Sequence, residues 1–105
     1  MNNNKIQEMQ IAEQNLQNLL IQKQAFQMEL AETQSALTEI DKSGDEIFKI
    51  IGQLMVKSDK LKIKEELENK KKILELRTKT IEKQESAFAE KAQKLRDEFM
   101  KKEKK

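Results

Sequence analysis

Between Met9 and Ile40 the chain keeps a seven-residue apolar rhythm without a break, and this limits its fold more than any other feature. With Met9 at position a, the a series is Met9, Leu16, Lys23, Leu30 and Leu37, and the d series is Ala12, Leu19, Phe26, Thr33 and Ile40. Eight of these ten are apolar. Apolar residues at alternating spacings of three and four lie on one stripe of an α-helix, and a stripe held over four heptads is a coiled-coil seam. The residues between are chiefly Gln, Glu, Ala and Leu, which favour helix, with no Pro or Gly among them. The pattern predicts a helix over residues 5–42, about 50 Å long at the usual rise. "DKSGDE" then supplies Gly44, suited to be the left-handed residue that closes a helix near Asp41 or Lys42.

A second helix is predicted over residues 59–103, with Ser58 or Asp59 as its N-cap. Leu67, Leu74, Ile81, Phe88 and Leu95 recur every seven residues. Their companion series is expected to be Ile63, Lys70, Arg77, Gln84, Lys91 and Glu98, which is almost wholly polar. A helix with one strict stripe holds against a stronger partner rather than against itself. Charge identifies that partner. Residues 6–41 carry six acids and one lysine, net −5, whereas residues 60–105 carry sixteen bases and ten acids, net +6. The two helices are therefore expected to pair antiparallel, with facing residue numbers that total about 104. That register sets Leu37 against Leu67, Leu30 against Leu74, Leu16 against Phe88 and Met9 against Leu95, and brings Phe26 near Arg77 for a cation–π contact.

Composition agrees. The 105 residues allow one domain, and with 36% apolar content and no Trp, Tyr, Pro or Cys they cannot build a compact core. No disulfide framework exists, and "MNNNKIQEMQ" lacks the apolar run of a signal peptide. No stretch approaches the ~18 apolar residues of a membrane span, so a soluble cytoplasmic protein is expected. Without His or Cys, the usual acid–base, thiol and metal chemistries lack their residues. No phosphate-binding glycine loop is present, and "DKSGDE" has too few, wrongly spaced oxygens for a calcium loop. No enzyme, cofactor or metal site is expected. The ending "MKKEKK" has no aromatics and reads as a solvated tail rather than a nucleic-acid site, and the lysines of residues 60–105 spread all round the helix, unlike a membrane-binding face.

One stretch departs from this pattern. In "EIFKIIGQLMVK" (46–57), seven apolar residues crowd into ten positions around one glycine. Ile47, Phe48, Ile50, Ile51 and Val56 favour strand, and Gly52-Gln53 fits the two-residue loop of a type II′ hairpin, which takes Gly first. A third short helix is the simpler alternative, and the central glycine and the β-branched residues speak against it. In the hairpin Ile51 opposes Leu54, Ile50 opposes Met55, and Lys49 opposes Val56. One face then carries Ile47, Lys49, Ile51, Leu54 and Val56, and the other Phe48, Ile50, Met55 and Lys57. An isolated two-stranded hairpin is marginal in water, and this one has two apolar faces and two open edges. The helices bury their own stripes against each other, so the hairpin calls for other subunits.

Helix, apolar hairpin and antiparallel helix together resemble the prefoldin family, specifically its β-type subunits with a single hairpin. "IFKIIGQLMVK" (47–57) is similar to that family's hairpin signature, and "LIQKQAFQMELAETQSALTEI" (20–40) and "LRTKTIEKQE" (76–85) resemble its flanking coils. Archaeal β subunits are the most similar. The resemblance implies one prefoldin-like domain over residues 1–105, mainly α, whose single hairpin (46–57) completes a multi-subunit β-barrel between the two coiled-coil helices. It implies an assembly of two α-type and four β-type subunits, in which Ile47, Phe48, Ile50, Ile51, Gly52, Leu54, Met55 and Val56 serve oligomerisation. It further implies an ATP-independent holdase that captures unfolded polypeptides at its coiled-coil tips and passes them to a group II chaperonin. The capturing surface falls at the free ends, around residues 1–20 and 88–103, with Ile6, Met9, Ile11, Leu16, Leu20, Phe88, Leu95, Phe99 and Met100 as its residues. Ile6, Ile11, Leu20, Ile21 and Met100 support that placement independently, being apolar yet off the seam. A structural coiled-coil adaptor without chaperone activity is the alternative, and it has no need of a hairpin apolar on both faces.

Overall fold

A computed structural model describes residues 2–103, with side chains described for residues 4–101. The elements run α1 (Asn2–Lys42), β1 (Ile47–Ile51), β2 (Leu54–Ser58) and α2 (Lys60–Glu103). The chain is thus two long helices joined by one antiparallel two-stranded hairpin. The Lys-rich ending, expected as a solvated tail, lies outside the described side chains from residue 102 onward.

By its internal contacts the chain divides into two compact units, one of residues 1–25 with 78–105 and one of residues 26–77. In the first unit Ala12, Leu19, Ile81, Ala92 and Leu95 are buried, and Met9, Leu16, Phe88 and Phe99 are half-buried. Three ion pairs tie its helical segments together: Lys5–Glu98 at 3.1 Å, Glu13–Arg96 at 3.0 Å and Lys23–Glu85 at 3.1 Å. Residue numbers fall on α2 as they rise on α1, so the segments run antiparallel, within a few residues of the predicted register. In the second unit Leu37 and Leu74 are buried, while Leu30, Ile40 and Leu67 are half-buried. Buried Thr33 satisfies its hydroxyl by donating 2.7 Å to the carbonyl of Glu29 one turn back, so its polar atom costs the seam little.

All ten predicted a and d residues of α1 are buried or half-buried. On α2 the stripe of Leu67, Leu74, Ile81, Phe88 and Leu95 is likewise covered, but its companion is not the expected one. Lys70, Arg77, Gln84, Lys91 and Glu98 are exposed. The covered companions are Lys71, Thr78, Glu85, Ala92 and Phe99, lying four residues after each stripe position rather than three, while ahead of Leu67 both Ile63 of the expected series and Lys64 are half-buried. The physical reason is that Lys and Glu bury their aliphatic stems along an apolar seam and carry the charge out at its edge. Of the pair expected to make a cation–π contact, Phe26 is half-buried and Arg77 is exposed.

α1 also ends differently from the prediction. Gly52 is the one described glycine with positive φ, so Gly44 is not a left-handed cap. Ser43 closes the helix instead: its N–H and its hydroxyl both donate to the carbonyl of Ile40, at 3.2 and 2.8 Å. At the start of α2 the cap is Asp59, whose carboxylate accepts 3.1 Å from the N–H of Leu61, while Ser58 belongs to β2 opposite Ile47.

Candidate functional site: an uncovered hairpin on a pinned base

The hairpin has the register its sequence predicts, with Ile51 paired to Leu54, Ile50 to Met55, Lys49 to Val56, Phe48 to Lys57 and Ile47 to Ser58. Gly52 has φ +60° and no non-glycine residue among those described has positive φ, which is the type II′ pattern with glycine first. The turn makes Ile51–Leu54 a hydrogen-bonded pair. Pairs alternate from there, so Ile50–Met55 and Phe48–Lys57 are the non-hydrogen-bonded ones. Their N–H and C=O groups point outward, along the two open edges.

Side chains are as open as the backbone. Ile50 is 70% exposed, Leu54 69% and Met55 68%, and Phe48, Ile51 and Val56 are exposed as well. Of the predicted oligomerisation residues Ile47 alone is half-buried. Ile47, Lys49 and Ser58 share a face, and it is this face that meets the rest of its unit, through the half-cover on Ile47 and Ser58 and a 3.5 Å ion pair from Lys49 to Glu66 of α2. On the other face Phe48, Ile50 and Met55 are all exposed.

The base of the hairpin is held from both sides. Lys60 Nζ donates to the carbonyl oxygen of Ser43 at 2.8 Å, and Lys64 Nζ sits 2.9 Å from Asp41 Oδ1. Hydrogen bonding to Asp41, then its charge, raises the Lys64 ammonium above the ordinary 10.5, with Glu68 adding to the effect and desolvation opposing it. Both lysines lie in the first turns of α2, where their own helix's dipole disfavours a cation. Both serve the carbonyl end of α1, where a cation is favoured. Sequence reading misses Lys60, Lys64 and Glu66 as hairpin supports, because each partner is far off in the chain and no local pattern marks the pairing.

The predicted client-binding residues separate into two groups. Leu95 is buried and Met9, Leu16, Phe88 and Phe99 are half-buried, all on the seam stripes; Ile6 is half-buried beside them. Ile11, Leu20 and Met100 are exposed, as is Ile21. Residues 1–3, part of the predicted capturing surface, lie outside the described side chains, as do residues 102–103.

Apolar exposure concentrated on a two-stranded sheet is an arrangement for joining other chains. Comparison with known proteins agrees. The sequence model of a family described as "Prefoldin subunit" matches residues 3–105. The chain is 41% identical over 88 residues to the prefoldin subunit beta of Pyrobaculum islandicum, covering 82% of this chain and 70% of that one. It is 45% identical over 85 residues to its counterpart in Thermococcus onnurineus, covering 79% and 73%. The crystal structure of the prefoldin beta subunit from Thermococcus strain KS-1 is similar in fold, with a TM-score of 0.87, 33% identity, and coverage of 95% of this chain and 90% of that one.

Proposed function

This chain belongs to the prefoldin family as a β-type subunit, a chaperone subunit, and from that premise we propose how its parts divide the work. The hairpin joins the hairpins of α-type subunits and other β-type copies, two α and four β in all, to close a β-barrel. The observation that carries this is the hairpin itself, with its apolar face of Phe48, Ile50 and Met55 uncovered and the backbone groups of the same strands directed outward. Strand addition at such an edge supplies main-chain hydrogen bonds, and burial of the face supplies the apolar driving force.

The unit of residues 1–25 and 78–105 captures unfolded polypeptides, using exposed Ile11, Leu20 and Met100 beside seam residues that a marginal coil lends at its ends. Exposed apolar side chains scattered around helices, with Met among them, suit loose contact with many sequences. Capture needs no ATP and no catalysis, and the captured chain passes to a group II chaperonin in the cytoplasm. Among the described residues no helix is long and apolar enough to cross a membrane.

The test mixes this chain with an α-type partner and measures mass and aggregation suppression together, without nucleotide. A hexamer that slows aggregation of an unfolded protein supports the proposal. A chain that stays monomeric beside its partner, or a hexamer that leaves aggregation unchanged, overturns it.

A further inference from the structure

The first unit contains a small notch of about 120 Å³ lined by Glu8, Ile11, Ala12, Asn15, Phe88 and Lys91. Its floor and walls are almost wholly apolar, from Ala12, Ile11 and Phe88. The notch exists because the d position at residue 12 holds alanine, which is buried and ends at Cβ, where a larger residue would fill the space. Ile11 stands beside it, 58% exposed. Glu8 and Lys91 lie at its margin with opposite charges, and neither forms an ion pair among the described residues.

We propose that this notch is a binding subsite for one branched aliphatic side chain, Val, Leu or Ile, of an extended polypeptide. The inference rests on the reading of this unit as the capturing surface and adds the chemistry that the surface selects. Size sets the class: a cavity of ~150 Å³ lined by aliphatic and aromatic groups is what holds a benzene ring, so a smaller notch takes an aliphatic branch and leaves a phenyl group partly outside. Charge sets the chain's placement. Glu8 accepts from a backbone N–H on one side of the seated residue, and Lys91 donates to a backbone carbonyl on the other. Neither contact reads a side chain, so one residue in the captured chain is selected and its neighbours are free.

Three unstructured fluorescent peptides that differ only at a central Leu, Phe or Ser test this by anisotropy against the intact protein. The Leu peptide is expected to bind about tenfold more tightly than the Ser peptide, the size of effect one aliphatic group has in an apolar pocket, and more tightly than the Phe peptide. Ile11→Ser, at an exposed position that leaves the seam intact, is expected to erase the Leu preference. Ile73→Ser removes an exposed apolar side chain from the other unit, and is expected to leave the preference unchanged. If all three peptides bind equally, or the Leu preference survives Ile11→Ser, the notch is overturned while capture by this unit stands. If no peptide binds and an unfolded protein aggregates unhindered in the presence of the assembled chain, capture by this unit fails and the notch fails with it.

Discussion

The ammonium of Lys60 donates to the carbonyl oxygen of Ser43 across seventeen residues, at 2.8 Å, and so closes the base of the hairpin. It satisfies a carbonyl just past the end of α1 and places a cation at the negative end of that helix. Replacing Lys60 with Met keeps the stem and removes the donor. The expected loss is about 1 kcal/mol, or several degrees in Tm. A thermal melt indistinguishable from wild type would mean that Ser43 is served equally well by water.

Lys64 makes a second link, and its contribution depends on pH. Its ammonium is raised above 10.5 in the folded chain by Asp41. A raised cation stabilises fully below the unfolded value and ceases to do so as pH rises through the folded value. The difference in urea midpoint between wild type and Asp41→Asn should therefore hold steady from neutral pH to about pH 10 and shrink above it. A difference that grows in alkali would contradict the assignment.

The two glycines should respond in opposite ways to alanine. Neither has a heavy atom within 4 Å of an added Cβ, so backbone conformation alone decides. Gly52, at φ +60°, should lose about 1–2 kcal/mol as alanine. Gly44, which has no positive φ, should gain about 0.4–1 kcal/mol by restricting the unfolded chain. Equal effects at the two sites in chemical unfolding would refute the type II′ turn.

Lys23 and Glu85 form an ion pair at the edge of the seam in the first unit, both side chains about three-quarters covered. Lys23→Ala should cost about 1–3 kcal/mol, since it leaves a covered carboxylate without its partner. Exchanging the two residues should restore most of the loss. Replacing both with Leu should be neutral or stabilising, because apolar packing matches a covered pair without its desolvation cost. Denaturant unfolding of the three variants beside wild type decides the matter, and a double-Leu chain weaker than Lys23→Ala would refute it.

Ile50→Asp should abolish assembly without unfolding the subunit. Ile50 is exposed in the single chain, so the carboxylate has water there, but it would be carried into an apolar interface on joining. Size-exclusion mass measurement with an α-type partner, alongside helicity of the variant alone, checks both halves. A normal hexamer would remove the Phe48–Ile50–Met55 face from the interface.

How much of this was legible depended on whether a residue's chemistry advertised its place. The α1 stripe was readable because Met9, Leu16, Leu30 and Leu37 are apolar where they are covered. The hairpin register was readable because a glycine opening a two-residue loop fixes every pair beyond it. The second α2 stripe was not, since Lys64, Lys71 and Glu85 are covered by their stems and look like surface in a list of letters. The end of α1 was missed for another reason: Gly44 is the obvious local signal, and the residues that act are Ser43 and distant Lys60. Among the client-binding residues, heptad register separates Leu95 on the seam from Ile11 and Met100 off it, but no periodicity announces a notch that exists because Ala12 is small.

The open edges of β1 and β2 also bear on how this chain fares before it finds company. A strand edge that welcomes the right neighbour welcomes wrong ones on the same terms, and Lys57 is the one charge on the Phe48 face to discourage them. The chain's solubility is then a matter of stoichiometry more than of its own surface. Copies made in excess of their partners keep those apolar strands in water, with nothing of their own to close the edges against one another.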